Sequence, residues 1–488
     1  MVVASNRGPI SFVRDEEGRV VAERGAGGLV TALTAALEAS GGLWIAAAMS
    51  EEDREQAARG RVELAQDASN YHLRYLAFDP GEYERFYNTI SNRVLWFLHH
   101  YLWDVPRVPT FDRETWTAWE SYVRVNRAFA DAMSEEGPPG SAFLVQDYHL
   151  DLVPALLRDR RGDALISHFS HIPFPGPSYF QILPARMRDE LMHGILGADV
   201  VGFNAHRWAQ NFLLSCQELN GAEVDLANGI VRWERREVHV SVYPISVDVE
   251  TLAAGSRKPD VTQARRWLLR ALNGKRLILR VDRTDLSKNI LRGFLAYEAF
   301  LTGFPKWRGK VRFLALLNPS RETIPEYSAY LEECVRTAQR INHELGDESW
   351  QPIELSLRDD FPLSLAAYGM YDVLLVNPIY DGMNLVAKEG PVLNRRKGVL
   401  VLSENAGAFA ELSRYVLAVN PFDVDATAEA LRAGLEMGER ERDRRIRGLR
   451  SAIRRNRLDR WVSAQLEDLE SEGEKTSPSQ PGQELHQT

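Results

Sequence analysis

The sequence has little cysteine, no long apolar run and no excess of basic charge. Only two of its 488 residues are cysteines, Cys216 and Cys334, which is too few for a disulfide framework or a cysteine-based zinc site. No stretch approaches the roughly 18–20 apolar residues that a membrane-spanning helix needs. The formal net charge of −9 disfavours nucleic acid or an anionic membrane as the main partner. These features predict a reducing, cytoplasmic location.

The two ends of the chain carry no targeting or binding signal of their own. The N-terminal MVVASNRGPI has neither a basic region nor a long apolar segment, so no signal peptide is expected. Residues 471–488 are polar and rich in Pro, Gly and Ser, which predicts a disordered tail. In the Arg-rich segment 439–461, acidic residues are interleaved and Ile446, Leu449 and Ile453 keep helical spacing, which favours a solvated amphipathic helix. We therefore expect small-molecule partners, neither nucleic acid nor membrane, and leave self-association open.

Short β-branched runs alternate with longer helical patterns along the whole chain. This alternation predicts an α/β protein with parallel sheets covered by helices on both faces. A strand ends near residue 243 and the next clear one starts near residue 276, so we place a boundary there. The predicted parts are a Rossmann-like domain over 1–247, a second Rossmann-like domain over 248–455, and a helix over 456–470 that packs back on the first domain. The ten predicted strands are MVVAS, LWIAAAM, AFLVQ, ALISHFS, DVVGF, VHVSVYPI, RLILRV, VRFLALLN, VLLVNP and GVLVLS.

The first polar strand end is the N-terminal one. Ser5-Asn6-Arg7 follow a strand, and glycines up to Gly28 precede a helical pattern over 28–40. Glycines before a helix let backbone N–H groups approach a phosphate closely. The pattern is neither G-x-G-x-x-G nor a Walker A, which disfavours a dinucleotide-dependent dehydrogenase. A purely structural loop explains these glycines equally well.

Three more strands end in polar side chains. Asp147 in QDYHL and His171 in SHIPFPGP each follow a strand, and LNPSR carries Asn318 and Arg321 at another strand end. Open α/β sheets bind ligands at the carboxyl ends of their strands. The prolines after His171 stiffen its loop, which suits a fixed binding wall. Helix capping is the alternative for Asp147 and His171, and LNPSR is a weak signal by itself.

VDRTDLSKN, after the strand RLILRV, offers two cations. Arg283 and Lys288 lie five residues apart across a strand–helix turn. Two cations near a helix N-terminus can hold a diphosphate, whose charge builds up as it departs as a leaving group. Salt bridges to Asp282 or Asp285 are the alternative.

The stretch YDGMNLVAKEGPVL follows the buried run VLLVNP directly. Backbone N–H groups of Asn384, Leu385 and Val386 at the helix start are available to phosphate oxygens. Asp381 can accept hydrogen bonds from sugar hydroxyls, and Glu389 can accept from the two hydroxyls of a ribose. Together with the other strand ends, this stretch predicts a site for an anionic sugar nucleotide.

These motifs resemble those of the trehalose-6-phosphate synthase family. The resemblance covers about residues 2–470 and rests on SNR, GAGGLV, YNTISNRVLW, QDYHL, HIPFP, RTDLSKN and DGMNLVAKE, in family order. It implies a GT-B fold, in which two Rossmann-like domains face each other across a cleft. It also implies a retaining glycosyltransferase that moves glucose from a nucleotide-glucose to glucose 6-phosphate, giving α,α-trehalose 6-phosphate.

The resemblance assigns donor-side roles. Arg283 and Lys288 match the clamp on the donor diphosphate, assisted by the Gly28 N–H. Asp381 and His171 match the groups that hold the donor glucose. The other donor-side matches are Glu389 at the ribose, the backbone at Asn384, Leu385 and Val386, and Asn318.

The resemblance also assigns acceptor-side roles. Arg7, Tyr87, Trp96 and Arg321 match residues around the 6-phosphate, and Asp147 matches a hydroxyl contact. Two guanidinium groups, a phenol O–H and an indole N–H are sensible phosphate ligands. Trp96 also fits a core position in the helical pattern over 90–103. The family implies no metal or other cofactor, so the positive charge must come from Arg and Lys.

Two motifs depart from the commonest family pattern. RTDLSKN stands in place of R-L-D-Y-x-K-G, and LNPSR carries an unusual Asn–Pro pair. Both resemble a related pseudo-glycosyltransferase, validoxylamine 7′-phosphate synthase, which uses a GDP-linked donor, so we expect GDP-glucose in preference to UDP-glucose. The alternatives are that related C–N coupling activity and a non-catalytic sugar-phosphate sensor. A sensor has no need for Arg283, Lys288 and His171, and all three are present.

Overall fold

The computed structural model describes residues 1–15, 17–25, 28–62 and 70–476. Within these ranges, none of the helices combines the length and apolar character that crossing a bilayer requires. In this described part of the chain, eighteen strands form two large sheets and one hairpin. The predicted Ala26–Gly27 part of the glycine loop and the tail from residue 477 lie outside the described residues.

The first sheet has ten strands in the order β10-β11-β12-β9-β8-β7-β1-β4-β6-β5. Its strands are β1 (Val2–Ser5), β4 (Leu43–Ala47), β5 (Arg61–Val62), β6 (His72–Leu76), β7 (Ala142–Gln146), β8 (Leu165–Ser170), β9 (Val200–Phe203), β10 (Glu223–Asp225), β11 (Ile230–Trp233) and β12 (Arg236–Val242). The seven central strands are parallel, whereas β5, β10 and β11 add antiparallel edges. A separate antiparallel hairpin joins β2 (Ile10–Arg14) to β3 (Val20–Arg24).

The second sheet has six strands, all parallel, in the order β15-β14-β13-β16-β17-β18. They are β13 (Arg276–Arg283), β14 (Val311–Asn318), β15 (Ile353–Ser356), β16 (Val373–Val376), β17 (Val399–Ser403) and β18 (Leu417–Val419). Their interiors are buried on both faces, as expected for strands that read as continuous apolar runs between covering helices.

The helices cover both sheets. Around the first sheet they are α1 (Gly28–Ser40), α2 (Glu51–Ala57), α3 (Pro80–Glu84), α4 (Trp96–His99), α5 (Arg113–Glu136), α6 (Val153–Arg160), α7 (Pro177–Phe180), α8 (Ala185–Ile195) and α9 (His206–Asn220). From the boundary onwards they are α10 (Val249–Gly255), α11 (Pro259–Leu272), α12 (Ile290–Gly303), α13 (Pro325–Leu345), α14 (Phe361–Tyr368), α15 (Val386–Leu393), α16 (Phe409–Leu412), α17 (Val424–Glu436), α18 (Glu439–Arg455) and α19 (Leu458–Thr476). The strand-rich α/β fold predicted from the sequence is confirmed.

All ten predicted strands are present, as β1, β4, β7, β8, β9, β12, β13, β14, β16 and β17. The eight unpredicted strands lie in the hairpin and at or near sheet edges, and most carry polar residues that weaken the apolar signal. The predicted helix over 28–40 is confirmed, as is the amphipathic character of α18, whose Ile446, Leu449 and Ile453 are buried.

The helical prediction over 90–103 is confirmed over residues 90–99 and was wrong for residues 100–103. The helix is of an unpredicted type: a π-helix runs over Arg85–Leu95 and passes directly into the short α4. In a π-helix each N–H bonds to the carbonyl five residues back, and the Trp96 N–H accordingly donates to the Ser91 carbonyl. The apolar spacing of NRVLWFLHHY does not distinguish the two helix types.

The end of the chain returns to the first sheet. Helix α19 packs against β8, β9 and α1, and Trp461 meets Phe169 of β8 edge to face with ring centroids 4.9 Å apart. The helix continues through Thr476. The prediction of a disordered tail was therefore wrong for residues 471–476, because they extend a helix that is already anchored on the first sheet.

Candidate functional site

The carboxyl ends of the two parallel sheets face each other, and their loops touch. Gly382, in the loop after β16, lies against the loop after β8, where a Cβ on it would stand 1.8 Å from the His171 carbonyl oxygen. Only glycine tolerates this approach. The indole N–H of Trp208 in α9 donates to the Gly382 carbonyl at 3.1 Å. The polar strand ends of both halves therefore line one cleft.

Cations from the second half converge on a buried carboxylate. Arg321 Nη1 lies 3.4 Å and Arg283 Nη2 3.9 Å from Asp285 Oδ2. The Trp96 indole N–H, from the first half, donates to Asp285 Oδ1 at 3.3 Å. Burial acts to raise the pKa of Asp285, but the charges of Arg321, Arg283 and Lys288 outweigh it and lower the pKa to about 2.

Lys288 contacts a carboxylate that follows a neighbouring strand of the second sheet. Its ammonium contacts the Asp381 carboxylate, which also accepts from the Asn384 side chain at 3.1 Å. Burial acts to raise the pKa of Asp381, and Lys288 lowers it below its usual value. The alternative that both cations form salt bridges is therefore correct, although only one partner was expected. Arg283 faces Asp285, as that alternative allowed, whereas Lys288 contacts Asp381 and not Asp282.

Tyr87 and Trp96 approach the same Arg321 from the π-helix and the start of α4. The Arg321 guanidinium lies 4.1 Å from the centre of the Trp96 ring. Burial acts to raise the pKa of Tyr87, yet Arg321 and Arg7 outweigh it and lower that pKa. The group formed by Arg7, Tyr87, Trp96 and Arg321 therefore has the positive potential that an anion requires.

The π-helix is what puts these two aromatic side chains on one side. Tyr87 and Trp96 are nine residues apart, which is 2.5 turns of an α-helix at 3.6 residues per turn and would place them on opposite faces. A π-helix holds more residues in each turn, so the same spacing comes close to whole turns. Trp96 is also buried in the core, which confirms its core interpretation, and its role at a phosphate stays a prediction.

Asp147 and His171 are in contact at the ends of β7 and β8. The His171 backbone N–H donates to Asp147 Oδ1 at 3.1 Å, and the His171 ring Nε2 lies 3.0 Å from the Gln146 side-chain oxygen. Burial raises the pKa of Asp147 to about 6 and lowers that of His171 to about 3. His171 is therefore a neutral hydrogen-bonding group at physiological pH.

Asp147 also has an unusual backbone. Its φ of 72° with ψ of 165° lies in a region that is nearly reserved for glycine and costs about 1–3 kcal/mol. Arg321 and Asn384 have positive φ values as well, 54° and 74°. Backbone strain of this kind concentrates at functional sites, where it fixes side chains in place.

The remaining predicted donor residues lie around the rim. Glu389 Oε2 accepts from the Tyr368 hydroxyl at 3.0 Å, and burial raises the pKa of Glu389. Asn318 stands beside Arg283 on the neighbouring strand, and its amide donates to Asp359 at 3.2 Å.

Backbone groups complete that rim. Leu385 and Val386 begin α15, and Gly28 begins α1. The Asp285 side chain contacts those of Arg321, Arg283 and Trp96. Within the described ranges it contacts none of the rim residues.

Sequence reasoning missed the residues that hold the cations. Arg280 is fully buried in β13, donates to Asp282 at 2.8 Å and to Asn377 at 2.9 Å, and contacts the Lys288 carbonyl. A Cβ at Gly293 would lie 2.3 Å from its guanidinium, so that glycine makes room for it. The signal was present, because an Arg inside the apolar run RLILRV needs buried partners.

Two tyrosines hold Arg321. The guanidinium donates to the Tyr327 hydroxyl at 2.6 Å and to the Tyr148 hydroxyl at 3.3 Å. Tyr148 in turn donates to Asn92 of the π-helix at 3.0 Å. Tyr148 lies in the short 3-10 helix Tyr148–Leu150 after β7, and Tyr327 lies in α13, so Arg321 contacts both sides of the cleft.

The cleft therefore offers two groups of cations, separated by one carboxylate, together with carboxylates and a neutral imidazole for sugar hydroxyls. In the described part of the chain, no group of three or more His, Cys, Asp or Glu side chains is arranged to hold a metal ion. Such a cleft can hold two phosphate-bearing molecules at once.

Comparison with known proteins gives three results. The model of glycosyltransferase family 20 matches residues 1–471. A trehalose-6-phosphate synthase of Mycolicibacterium smegmatis is 37% identical over 486 residues, covering 97% of this chain and 93% of that protein. A bifunctional trehalose-6-phosphate synthase/phosphatase of Thermoproteus tenax is 34% identical over 472 residues, and the chain spans 62% of its length.

Solved structures agree with the fold. The crystal structure of a UDP-forming α,α-trehalose-phosphate synthase from Burkholderia vietnamiensis has a TM-score of 0.83 at 31% identity, covering 96% of this chain and 99% of that one. An E. coli protein described as bound with UDP-2-fluoro glucose has a TM-score of 0.84 at 31% identity, covering 96% and 98%. These relatives give no support to the preference for GDP-glucose that RTDLSKN and LNPSR suggested. The two facing sheets, the order of the motifs and the full-length match place this chain in glycosyltransferase family 20.

Proposed function

We propose that the protein transfers glucose from a nucleotide-glucose to glucose 6-phosphate, giving α,α-trehalose 6-phosphate and a nucleoside diphosphate. The observation that carries this proposal is the pair of cation groups in one cleft, Arg283 with Lys288 and Arg7 with Arg321. A reaction that joins a sugar nucleotide to a sugar phosphate needs both groups, and relatives of similar length are trehalose-6-phosphate synthases.

On the donor side, Arg283 and Lys288 hold the diphosphate, with the Gly28 N–H and the start of α15 at Asn384–Val386 assisting. Lys288 contacts Asp381. Arrival of the diphosphate gives Lys288 a second anion and leaves Asp381 free to accept from glucose hydroxyls.

Two further donor contacts follow. His171, neutral at physiological pH because burial lowers its pKa to about 3, holds the glucose by hydrogen bonds. Glu389 accepts from the ribose hydroxyls, and Asn318 lies beside Arg283 at the nucleotide end.

On the acceptor side, Arg7, Tyr87, Trp96 and Arg321 surround the 6-phosphate, and Asp147 accepts from a sugar hydroxyl. The charge of Arg321 is already fixed toward this site by Tyr148 and Tyr327. Arg7 follows β1 and is exposed, so it reaches the phosphate from the opposite wall.

The bond changes balance without an enzymic nucleophile. The acceptor hydroxyl oxygen bonds to C1 of the donor glucose as the C1–O bond to the β-phosphate breaks. The hydroxyl proton passes to an oxygen of the departing diphosphate, on the face that it leaves, which retains the configuration at C1. Arg283 and Lys288 neutralise the charge that develops on the diphosphate.

For the donor base, UDP-glucose is the first candidate. The relatives from Burkholderia vietnamiensis and Burkholderia xenovorans are described as UDP-forming. GDP-glucose remains in the test because RTDLSKN and LNPSR depart from the common motif.

The test is a donor panel. The protein is incubated with glucose 6-phosphate and UDP-, GDP- or ADP-glucose, with and without a metal chelator, and the diphosphate and sugar products are identified. We expect trehalose 6-phosphate, with the same rate in chelator, from at least one donor. Release of diphosphate from none of them would remove the glycosyltransferase proposal in favour of a sugar-phosphate sensor, and a C–N linked product from an amino acceptor would favour the validoxylamine-type activity.

A further inference from the structure

Asp285 poses a problem for a phosphate-binding cleft. Its side chain is fully buried, and it lies among cations that are expected to bind phosphates. A carboxylate there repels the ligand, so its presence needs another explanation.

The two oxygens of Asp285 have separate tasks. Oδ1 accepts from the Ser287 backbone N–H at 2.9 Å, from the Ser287 hydroxyl at 2.8 Å and from the Trp96 indole N–H at 3.3 Å. Among the described residues, the partners of Oδ2 are guanidinium groups, those of Arg321 at 3.4 Å and Arg283 at 3.9 Å. One carboxylate thus touches the proposed diphosphate clamp and the proposed acceptor-phosphate group at once.

Two simpler explanations exist. Asp285 caps the short 3-10 helix Leu286–Lys288 through the Ser287 N–H, and a cap alone requires neither Trp96 nor Arg321. Alternatively, Asp285 merely offsets the repulsion among like charges. Neither explanation accounts for the division between the two oxygens, in which Oδ1 caps the 3-10 helix and Oδ2 contacts guanidinium groups.

We propose that Asp285 is a positioning residue that sets the Arg321 guanidinium and the Trp96 indole ring, from opposite halves of the molecule, in the arrangement that recognises the acceptor phosphate. This inference rests on the proposed function, because it concerns the phosphate of the same acceptor. It adds a residue that stands in the donor motif RTDLSKN yet acts on the acceptor side.

The substitution Asp285→Asn separates the three explanations by the sign of its effect. The amide oxygen keeps the bonds to Ser287 and Trp96, so the cap survives. The amide NH₂ then faces the Arg321 guanidinium, donor against donor, and displaces it. Removal of the negative charge by itself strengthens phosphate binding, whereas loss of Arg321 positioning weakens it.

The experiment measures KM and kcat for glucose 6-phosphate and for unphosphorylated glucose in the wild type and in Asp285→Asn. We expect KM for glucose 6-phosphate to rise about tenfold or more, the usual effect of losing a charge-assisted hydrogen bond. The KM for unphosphorylated glucose should change less than threefold, whereas any change in kcat through Arg283 should be the same for both acceptors. A wild type that turns over no donor contradicts the proposed function, whereas an active wild type with an unaffected variant contradicts only the role of Asp285.

Both opposite results overturn the inference. An unchanged KM for glucose 6-phosphate leaves Asp285 as a cap, and a lowered KM leaves it as a neutralising charge. Asp285→Ser, which keeps a capping hydroxyl but cannot reach Arg321, provides a second variant if the first does not fold.

A double-mutant cycle completes the test. In an Arg321→Ala background, Asp285→Asn should change the KM for glucose 6-phosphate by less than twofold, because the residue through which it acts is gone. An undiminished effect in that background would also contradict the inference.

Discussion

The cations on the two walls of the cleft are held in different ways. In the second half, Arg283 and Arg321 face Asp285, and Lys288 contacts Asp381. In the first half, Arg7 is exposed and has no carboxylate partner within the described ranges. Arg321 and Lys288 are therefore oriented by carboxylates of the chain itself, whereas Arg7 is not.

This contrast has an energetic reason. A buried cation without a counter-ion is costly, so the largely buried Arg321 and Lys288 contact carboxylates that a phosphate must outcompete. The exposed guanidinium groups of Arg283 and Arg7 keep their hydration. We expect Arg283 and Lys288 to govern turnover, and Arg7 and Arg321 to govern acceptor affinity.

Arg283→Ala tests the second wall and should have the largest effect. Its guanidinium is expected to neutralise the departing diphosphate, so kcat should fall by a factor on the order of 100. Steady-state kinetics with saturating donor and acceptor measures it. Arg336→Ala, on the outer surface of α13, is a matched control with kinetics expected to equal the wild type. If Arg283→Ala altered only the KM of the acceptor, the diphosphate role would be wrong.

Arg7→Ala tests the first wall and should have an intermediate effect. We expect KM for glucose 6-phosphate to rise about tenfold or more, with kcat little changed, because a charge-assisted hydrogen bond to the phosphate is lost. Unphosphorylated glucose, measured in parallel, should be used equally well by both proteins. An equal loss for both acceptors would contradict the assignment of Arg7 to the phosphate.

The pH dependence of kcat/KM should show the smallest effect. It tests the proposed contact between Asp147 and a hydroxyl of the acceptor. Burial raises the pKa of Asp147 to about 6, so its carboxylate is ionised above that pH. In that form it can accept a hydrogen bond from a sugar hydroxyl. Below pH 6 it becomes protonated, and kcat/KM for unphosphorylated glucose should fall by about tenfold at one pH unit below the pKa.

Glucose is the acceptor of choice for that profile, because a phosphate monoester loses its second proton near pH 6. Asp147→Asn should be slower and should lack the change near pH 6. His171 cannot produce that change, since its pKa lies at about 3. A profile that stays flat between pH 5 and 7 in the wild type would exclude Asp147 from the acceptor contact.

Much of the fold followed from the sequence because its strands are strongly apolar. Each of the ten predicted runs is a strand, since a buried parallel strand reads as a continuous β-branched run. The polar edge strands, such as β5 and β10, gave no such signal. The exact course of the C-terminal helix was also missed, because residues 471–476 are polar although α19 is anchored by Trp461 and Leu469.

For the site, position along the chain predicted which loops meet but not which side chains pair. Lys288 and Asp381 are 93 residues apart, and Trp96 and Asp285 are 189 apart. Local spacing offered Asp282 or Asp285 as alternative partners of Lys288. In the structure its partner is Asp381, because β13 and β16 are neighbours in the sheet.

The sequence by itself determined two largely parallel sheets, the polar loops at their carboxyl ends and the supply of Arg, Lys and Asp for the proposed phosphate site, because apolar periodicity and turn chemistry are local. Only the tertiary structure decided how the cations are held and that Tyr87 and Trp96 lie beside Arg321. The pairings depend on which strands become neighbours in the sheet. The π-helix places residues nine apart on one side, and the apolar pattern of the sequence does not predict its hydrogen bonds.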